Sequence, residues 1–263
     1  MAALPLSADI GRSSAPALEL HGVGRTFGAL TALSGIDMVI GSHERRAVLG
    51  SNGAGKTTLF NTITGDLVPS SGQIRFFGTD FTATPVHRRM RLGMRRTYQI
   101  SRLFWDLTVL DSLFLACRGV SSGRFSMIRT HHLDDDRQQA TQIAARVHLD
   151  HRADDLVRKL SHGEQRQLEI GFALAGKPRL VLLDEPAAGL SPSERINLVA
   201  LLQGLPRELP FVIIEHDLDV ALRVVDYVSL MHNGRIFKEG TPSQIEADPE
   251  VQRLYLGDGH GGH

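Results

Sequence analysis

Residues 45–58 read RRAVLGSNGAGKTT: a short strand pattern that is apolar at residues 47–49, a glycine-rich loop and the start of a helical pattern. The loop fits G-x-x-x-x-G-K-[ST] at every fixed position. Glycines let the backbone N–H groups converge on phosphate oxygens, and the helix that follows presents its positive end. The stretch therefore predicts a phosphate-binding loop. Its residues, with the next one along the chain, are Gly50, Ser51, Asn52, Gly53, Ala54, Gly55, Lys56, Thr57 and Thr58.

Two side chains of this loop bring a charge and a hydroxyl group to the phosphates. Lys56 is predicted to place its ammonium group at the β- and γ-phosphates, and the Thr57 hydroxyl group to ligate Mg²⁺. The alternative is a plain glycine-rich turn without a ligand. A strand is predicted directly before the loop and a helix directly after it, and this context favours phosphate binding.

A second stretch, residues 180–185, reads LVLLDE and predicts a buried strand that ends in two carboxylates. The carboxyl ends of strands in α/β sheets are where ligands bind. Asp184 is therefore predicted to be the partner of Mg²⁺. Glu185 is predicted to be the general base that polarises the attacking water. The alternative is a pair of solvated acids in front of Pro186.

Apolar strands and helical patterns alternate at both ends of the chain, which is typical of an α/β sheet. Strands are predicted at residues 18–23, 37–40, 45–49, 180–183, 211–214 and 227–231. Between them the pattern predicts a helical lobe, with helices at residues 109–118, 136–147 and 163–175. Residues 1–17 and 257–263 are predicted to be flexible tails.

Composition argues against several classes of protein. The 29 Lys and Arg residues equal the 29 Asp and Glu residues, so no basic surplus is available for a nucleic-acid backbone. The longest apolar runs are far shorter than the roughly 20 residues that span a bilayer. Cys117 is the only cysteine, which favours the reducing cytoplasm. Residues 22–27 nearly match a dinucleotide fingerprint, but its third glycine is missing, so NAD binding is rejected.

Residues 160–165 read LSHGEQ and resemble the signature motif that distinguishes ABC ATPases from other phosphate-loop enzymes. In that family this helix start faces the γ-phosphate of ATP held by the other subunit. The resemblance implies that the phosphate loop and Thr58 bind the subunit's own ATP. It implies that the partner's ATP is bound by Ser161, His162, Gly163, Glu164 and Gln165. Ser161 and Glu164 also fit an ordinary capping box, so both interpretations place a helix start here.

Three further residues are assigned through the resemblance alone. Gln99 resembles the glutamine that contacts Mg²⁺ and links the sheet to the helical lobe. His216 resembles the histidine that senses the γ-phosphate, and it is grouped with Glu185 and Gln99 as catalytic. Phe27 corresponds to the aromatic residue that stacks on adenine, although a core aromatic residue is the alternative.

The sequence departs from the family pattern at three positions. His162 and Glu164 replace the usual glycine and glutamine of the signature motif. Ser191 stands where many relatives carry an aspartate in the loop after the catalytic carboxylate. A serine brings no charge, so the aspartate's contact with the opposite phosphate loop cannot be transferred unchanged.

The resemblance implies the ABC ATPase fold over residues 18–256 as one domain. This fold is α/β, with a P-loop NTPase core and a mostly parallel sheet, an N-terminal antiparallel β subdomain and an inserted α-helical subdomain. The core is expected at about residues 18–98 and 177–240, and the helical subdomain at about 99–176.

Within the superfamily, the chain resembles the ATPase subunits of branched-chain (hydrophobic) amino acid importers. The stretches that carry this resemblance are RTYQ at 96–99, LSHGEQRQLE at 160–169, EPAAG at 185–189 and LYLG at 254–257. It implies an Mg²⁺-dependent ATPase that forms a homodimer or heterodimer and powers import through integral membrane permease subunits. It further implies an indirect periplasmic or extracellular substrate-binding protein, a peripheral location at the cytoplasmic side of the cell membrane, and no nucleic-acid partner.

Two other classes of protein fit the sequence less well. Soluble ABC ATPases that act on nucleic acid or ribosomes usually carry two cassettes or a long coiled insertion, and the sequence shows neither. A phosphate-loop kinase or GTPase is opposed by the absence of an Asn-Lys-x-Asp motif and by the presence of residues 161–165.

Overall fold

The structure, a computed structural model, describes residues 15–97, 103–120 and 131–255. The predicted C-terminal tail and most of the predicted N-terminal tail lie outside these ranges. For Ala17 the prediction of a loose tail is wrong, because this residue is buried and its N–H donates to the carbonyl oxygen of Ile40 at 2.8 Å. The first strand nevertheless begins at Leu18, as the sequence predicted.

Strands and helices alternate through the described ranges. The strands are β1 (Leu18–Phe27), β2 (Leu30–Ile40), β3 (Arg45–Gly50), β4 (Ser71–Phe76), β5 (Thr79–Asp80), β6 (Met94–Arg96), β7 (Leu180–Asp184), β8 (Phe211–Ile214), β9 (Tyr227–His232) and β10 (Arg235–Gly240). The helices are α1 (Lys56–Thr64), α2 (Val86–Arg91), α3 (Val109–Val120), α4 (His131–Arg146), α5 (His162–Leu174), α6 (Pro192–Gln203), α7 (Leu218–Val224), α8 (Pro242–Glu246) and α9 (Pro249–Tyr255). None of the helices in these ranges has the length and apolar character needed to cross a bilayer.

The strands form two sheets. Sheet A is antiparallel with the order β2-β1-β4-β5, and sheet B has the order β10-β9-β3-β8-β7-β6. Sheet B is parallel except for its edge strand β10. Helices α3, α4 and α5 lie between β6 and β7 in the chain and pack against one another. The predicted fold class is confirmed in all three of its parts.

The central strands of sheet B are buried on both faces. In β7, Leu182 packs with α1 and sheet A, whereas Leu183 packs with the helices on the opposite face. Val48 and Leu49 of β3 divide between the two cores in the same way. Successive strand residues point to opposite faces, so a strand that is covered on both sides is apolar at every position. This is why residues 180–183 could be predicted as a strand from an unbroken apolar run.

Several elements were missed by the sequence prediction. β10 (RIFKEG) is a sheet edge whose residues are mostly partly or fully exposed, and β6 is only three residues long. β4 and β5 pair at the edge of sheet A, where polar residues are tolerated. Exposed edge strands lack the continuous apolar run that reveals the central strands.

Candidate nucleotide-binding site

Three neighbouring parallel strands end at one edge of sheet B. β8 lies between β3 and β7, and its last residue, Ile214, pairs with Val48 of β3 and with Asp184 of β7. The phosphate loop, residues 50–57, follows β3, and His216 comes shortly after β8. The carboxyl ends of parallel strands form the ligand-binding edge of an α/β sheet. The topology therefore brings together segments that are far apart in the sequence.

The phosphate loop has a backbone that depends on glycine. Gly53 and Gly55 have φ angles of 81° and 102°, a region that other residues rarely adopt. A Cβ atom on Gly55 would lie 2.8 Å from the carbonyl oxygen of Ala32 in β2. Gly55 also caps α1 without a side-chain hydrogen bond. A helix start without a side-chain cap, reached by a left-handed glycine, suits the binding of a phosphate group.

Lys56 folds back over this loop. Its Nζ atom donates to the carbonyl oxygens of Gly50 at 2.6 Å and Ser51 at 3.1 Å, and the residue is buried. Burial lowers the pKa of Lys56, while the charges of Glu185 and Asp184 act in the opposite direction. The ammonium group thus lies within the field of both predicted carboxylates. This arrangement fits the prediction that Lys56 serves a phosphate at this edge.

Asp184 is buried at the end of β7 and has a divided environment. Its Oδ2 atom accepts a hydrogen bond from Arg96 Nη2 at 2.7 Å, and its backbone N–H donates to Thr97 Oγ1 at 3.0 Å. Its Oδ1 atom is buried and makes no hydrogen bond. Buried carboxylate oxygens ordinarily have a partner, so an oxygen without one fits a metal ligand. The donor set is therefore suited to Mg²⁺, which prefers oxygen.

Glu185 is held in a strained backbone conformation. Its φ angle is 45°, in the left-handed region that a glutamate seldom occupies. Its N–H donates to the carbonyl oxygen of Ile214 at 3.0 Å, and its own carbonyl oxygen accepts from Ala188 N–H at 3.1 Å. Such strain costs about 1–3 kcal/mol and is concentrated at functional sites. The chain therefore turns sharply at the residue predicted to be the general base.

The segment after β8 joins the same edge. His216 is exposed, and its backbone N–H donates to Glu215 Oε2 at 3.2 Å. Glu215 itself is fully buried and accepts a hydrogen bond from Ala187 N–H at 2.7 Å. Desolvation by burial raises the pKa of Glu215. Sequence reasoning missed Glu215, although an acidic residue directly after the apolar strand 211–214 was a usable signal.

The LSHGEQ stretch forms a helix start, as predicted. Ser161 Oγ accepts from Glu164 N–H at 3.2 Å, and Glu164 Oε2 accepts from Ser161 N–H at 2.7 Å, which completes a capping box. Gln165 Nε2 donates to the carbonyl oxygen of Leu160 at 2.9 Å. His162 lies beside Gly189, where an added Cβ atom would be 3.0 Å from its Nε2 atom.

A pocket next to Ser161 is separate from the phosphate loop. It is lined by α5 and α6 residues and by Leu190. Ser191 forms the N-cap of α6, so the position of the replaced aspartate has a local capping role. The structure thus brings the phosphate loop, Asp184, Glu185 and His216 to one edge, whereas the Ser161 pocket has lining residues of its own.

Of the residues assigned through the family resemblance, Phe27 lies within the described part of the chain and Gln99 does not. Phe27 ends β1 with an exposed ring, and the Arg25 guanidinium group lies 4.7 Å from the ring centroid. An exposed aromatic ring is not a core residue, so the alternative for Phe27 loses support. Gln99 and its neighbour Tyr98 lie outside the described residues.

A glycine loop between a buried parallel strand and a helix, with a lysine inside it and an acidic strand end beside it, defines a phosphate-loop nucleotide-binding protein. The sequence profile of the family described as ABC transporter matches residues 33–188. The chain belongs to the ABC transporter family, as an ATPase subunit, which confirms the predicted family and enzyme class.

Individual relatives match nearly the whole chain. The high-affinity branched-chain amino acid transport ATP-binding protein BraF of Pseudomonas aeruginosa is 35% identical, over 93% of this chain and 99% of the relative. LivG of Escherichia coli, with the same description, is 34% identical over the same shares. Among solved structures, the ADP conformation of MJ1267, an ATP-binding cassette of an ABC transporter, has a TM-score of 0.79 and 28% identity and covers 92% of this chain and 99% of that one.

Proposed function

We propose that two copies of this chain, or this chain and a close homologue, bind two MgATP molecules and hydrolyse them to power import of branched-chain or other hydrophobic amino acids, or related small organic acids. The observation that carries the ATPase part is the common edge of β3, β7 and β8. There the glycine loop with Lys56 lies beside the unpartnered Asp184 Oδ1 atom. The amino acid substrate class is supported by the names of BraF and LivG.

The phosphates and the metal ion are assigned to separate groups of this chain. The N–H groups of the phosphate loop and the Lys56 ammonium group bind the phosphate oxygens. The Thr57 hydroxyl group and Asp184 Oδ1 hold Mg²⁺, together with Gln99. When bound, Mg²⁺ neutralises charge on the phosphates during phosphoryl transfer. Phe27 stacks on the adenine ring through its exposed face.

Glu185 orients and polarises the attacking water as the general base. Its left-handed backbone directs the chain away from the line of β7, next to the metal ligand Asp184. A positioned general base contributes roughly a hundredfold to ten-thousandfold to the rate. His216, exposed at the end of the neighbouring strand, contacts the γ-phosphate and positions it.

The second subunit completes each site with its Ser161 helix start. In one chain, this helix start opens onto a pocket lined by α5, α6 and Leu190. The Ser161 hydroxyl group and the N–H groups of the first turn of α5 suit the binding of an anion. We therefore place the γ-phosphate of one subunit's ATP against residues 161–165 of the other. Ser191 carries no charge, so it takes part only through hydrogen bonds.

The transport step requires separate membrane subunits. A groove lies between sheet B and the inserted helices α3 and α5. Its apolar lining includes Leu103, Phe104 and Phe172, and its polar lining includes Arg95 and Glu169. Phe104 and Met90, which both line this groove, are exposed, and exposed apolar side chains that lie together mark interaction sites. We propose that a cytoplasmic helix of the permease docks there and that the chain works at the cytoplasmic face of the membrane. A substrate-binding protein would contact only the permease.

Two variants test the ATPase assignment. Lys56→Ala should lose nucleotide binding, because the loop loses its point charge, whereas Lys159→Ala removes an exposed ammonium group as a control. Glu185→Gln should still bind ATP and dimerise while hydrolysing almost nothing, and Glu208→Gln serves as its charge-matched, exposed control. Binding is measured with a fluorescent ATP analogue and hydrolysis by phosphate release. Turnover of Glu185→Gln at the wild-type rate would show that the base is misassigned.

Co-purification tests the transporter assignment against an ABC ATPase of nucleic acid or ribosomes. The tagged full chain, extracted from its native membrane in detergent, should bring down multi-spanning membrane proteins. Capture of ribosomal or nucleic-acid-binding partners alone would favour the second function. Transport by reconstituted complexes, measured with radiolabelled leucine, valine and small organic acids, would then identify the substrate.

A further inference from the structure

One carboxylate connects the starts of helices α5 and α6. Glu194 Oε1 accepts a hydrogen bond from Gly163 N–H at 2.9 Å, across the interface between the two helices. Glu194 Oε2 accepts from Ser191 N–H at 2.9 Å and from Ser191 Oγ at 2.7 Å. The LSHGEQ helix start is therefore tied to the end of the loop that begins at Glu185.

The contact between Glu194 and the LSHGEQ segment is close. A Cβ atom on Gly163 would lie 2.6 Å from Glu194 Oε1 and 2.8 Å from its Cγ atom. Hydrogen bonds from Ser191, with a further one from Gly163, lower the pKa of Glu194. The side chain is thus an anion at neutral pH, and it lies at the positive end of α5.

The next residue of α6 reaches the segment after β8. Arg195 Nη1 contacts Asp217 Oδ2 at 2.6 Å, and Asp217 Oδ1 caps α7 by accepting from Val220 N–H at 3.1 Å. Asp217 directly follows His216. One turn of α6 therefore contacts both the LSHGEQ helix and the residue next to the predicted γ-phosphate sensor.

We propose that Glu194 is a positioning residue that holds the Gly163 N–H group until the γ-phosphate of the partner's ATP takes over this donor. The proposal rests on the two-subunit site proposed above. An N–H group donates fully to only one strong acceptor, and two anions at one helix start repel each other. Closure of the dimer therefore requires Glu194 to release Gly163, which leaves its carboxylate to Ser191 alone.

This exchange gives the α5–α6 contact two discrete arrangements. In the first, Glu194 bridges Gly163 and Ser191, as in this structure. In the second, the partner's phosphate occupies the α5 start and α6 is no longer fixed to it. Since α6 follows the Glu185 loop and contacts Asp217 through Arg195, binding at one nucleotide site changes the support of the other.

Glu194→Gln is the variant that separates charge from folding. Gln is a normal third residue of a capping box, and Gln244 has this place in α8 of the same chain. With its single amide oxygen directed to Ser191, the NH₂ group faces the Gly163 N–H as donor against donor. The variant should keep the α6 cap and the wild-type thermal unfolding midpoint while freeing the α5 start.

The test measures ATP-driven dimerisation by light scattering in the hydrolysis-deficient Glu185→Gln background. We expect Glu194→Gln to lower the ATP concentration for half-dimerisation by about fivefold or more, the lower end of usual coupling between sites. Binding of a fluorescent ATP analogue to the dilute monomer should stay unchanged. Two control variants should leave the ATP concentration for half-dimerisation unchanged. Glu208→Gln makes the same charge change at an exposed residue, and Gln244→Ala removes a remote capping box.

An unchanged or higher half-dimerisation concentration in Glu194→Gln would overturn the proposal while leaving the two-subunit ATPase intact. A shift of equal size in Glu208→Gln would also overturn it, because net charge alone would then be the cause. Failure of Glu185→Gln itself to dimerise with ATP would overturn the two-subunit site and this proposal with it.

Discussion

Replacement of Arg96 by methionine should destabilise the protein strongly and in a way that depends on Mg²⁺. Arg96 Nη2 pairs with Asp184 Oδ2 at 2.7 Å, and the two side chains are only 7% and 1% exposed. Arg96 Nη1 also donates to Asn61 Oδ1 at 2.6 Å. Methionine fills much of the same space but leaves the Asp184 carboxylate buried without this partner.

Loss of one member of a buried ion pair costs about 3–5 kcal/mol, because the remaining charge is left unpaired. For a chain of this size, that corresponds to a fall in melting temperature of about 6–20 °C. Arg158→Met is the control, because Arg158 pairs with Asp106 at a similar 2.8 Å but the side chains are 59% and 85% exposed. Exposed pairs contribute about 0–1 kcal/mol, so this control should unfold almost like the wild type.

The metal dependence comes from Asp184 Oδ1, which has no hydrogen-bond partner. If this carboxylate is the metal ligand, Mg²⁺ bound with ADP supplies a countercharge to Asp184. The variant gains more from this countercharge than the wild type, in which Arg96 already pairs with Asp184. Thermal unfolding of Arg96→Met and wild type is therefore compared in EDTA and in excess Mg²⁺ with ADP. The difference between the two proteins should shrink with the metal. An equal deficit under both conditions would refute the metal assignment, and no deficit in EDTA would refute the ion-pair argument.

Three further changes have definite expected results. Burial raises the pKa of Glu215 above its usual 4.5. The protonated form of Glu215 therefore contributes to the free energy of unfolding below pH 4.5, and this contribution is lost as the pH rises through the raised pKa. Glu215→Gln should remove this part of the pH dependence, as measured by urea unfolding. Burial raises the pKa of Cys117 to about 11, so iodoacetamide at pH 8 should label it only after unfolding, and labelling of the native protein would contradict its burial. Gly55→Ala should lower the free energy of unfolding by about 1–3 kcal/mol and weaken nucleotide binding, because the φ angle of Gly55 is 102°. Gly119→Ala, at a helical position with open space around the added Cβ atom, should not lower the free energy of unfolding.

The sequence predicted those parts of the fold that are local or continuous. The strand 180–183 is apolar throughout because both of its faces are covered, and the strand before the glycine loop is buried along its whole length and apolar at residues 47–49. The glycine pattern itself prescribes a left-handed backbone, and Gly53 and Gly55 adopt it. Exposed edge strands such as β10 have no such signal, since their side chains are partly or fully exposed.

The contacts that complete the site could not be predicted because they join residues far apart in the chain. Arg96 and Asp184 are separated by 88 positions, and Gly163 and Glu194 by 31. Single-sequence patterns report the period of one element, not the partner of a side chain across the sheet. Arg96 entered the sequence interpretation only as part of the RTYQ stretch, without any indication that it pairs with the Asp184 carboxylate.

The strain at Glu185 is supported mainly by β8 and the residues that follow it. Ile214 accepts the Glu185 N–H, and the buried Glu215 carboxylate accepts the N–H of Ala187 two residues further on. A left-handed glutamate persists only where its surroundings fix it, and here the support comes from the segment that continues into His216. The positions of Glu185 and His216 therefore depend on one another. A displacement of His216 would reach Glu185 through the hydrogen bond between Glu215 and Ala187 and the short chain segment that joins Ala187 to Glu185.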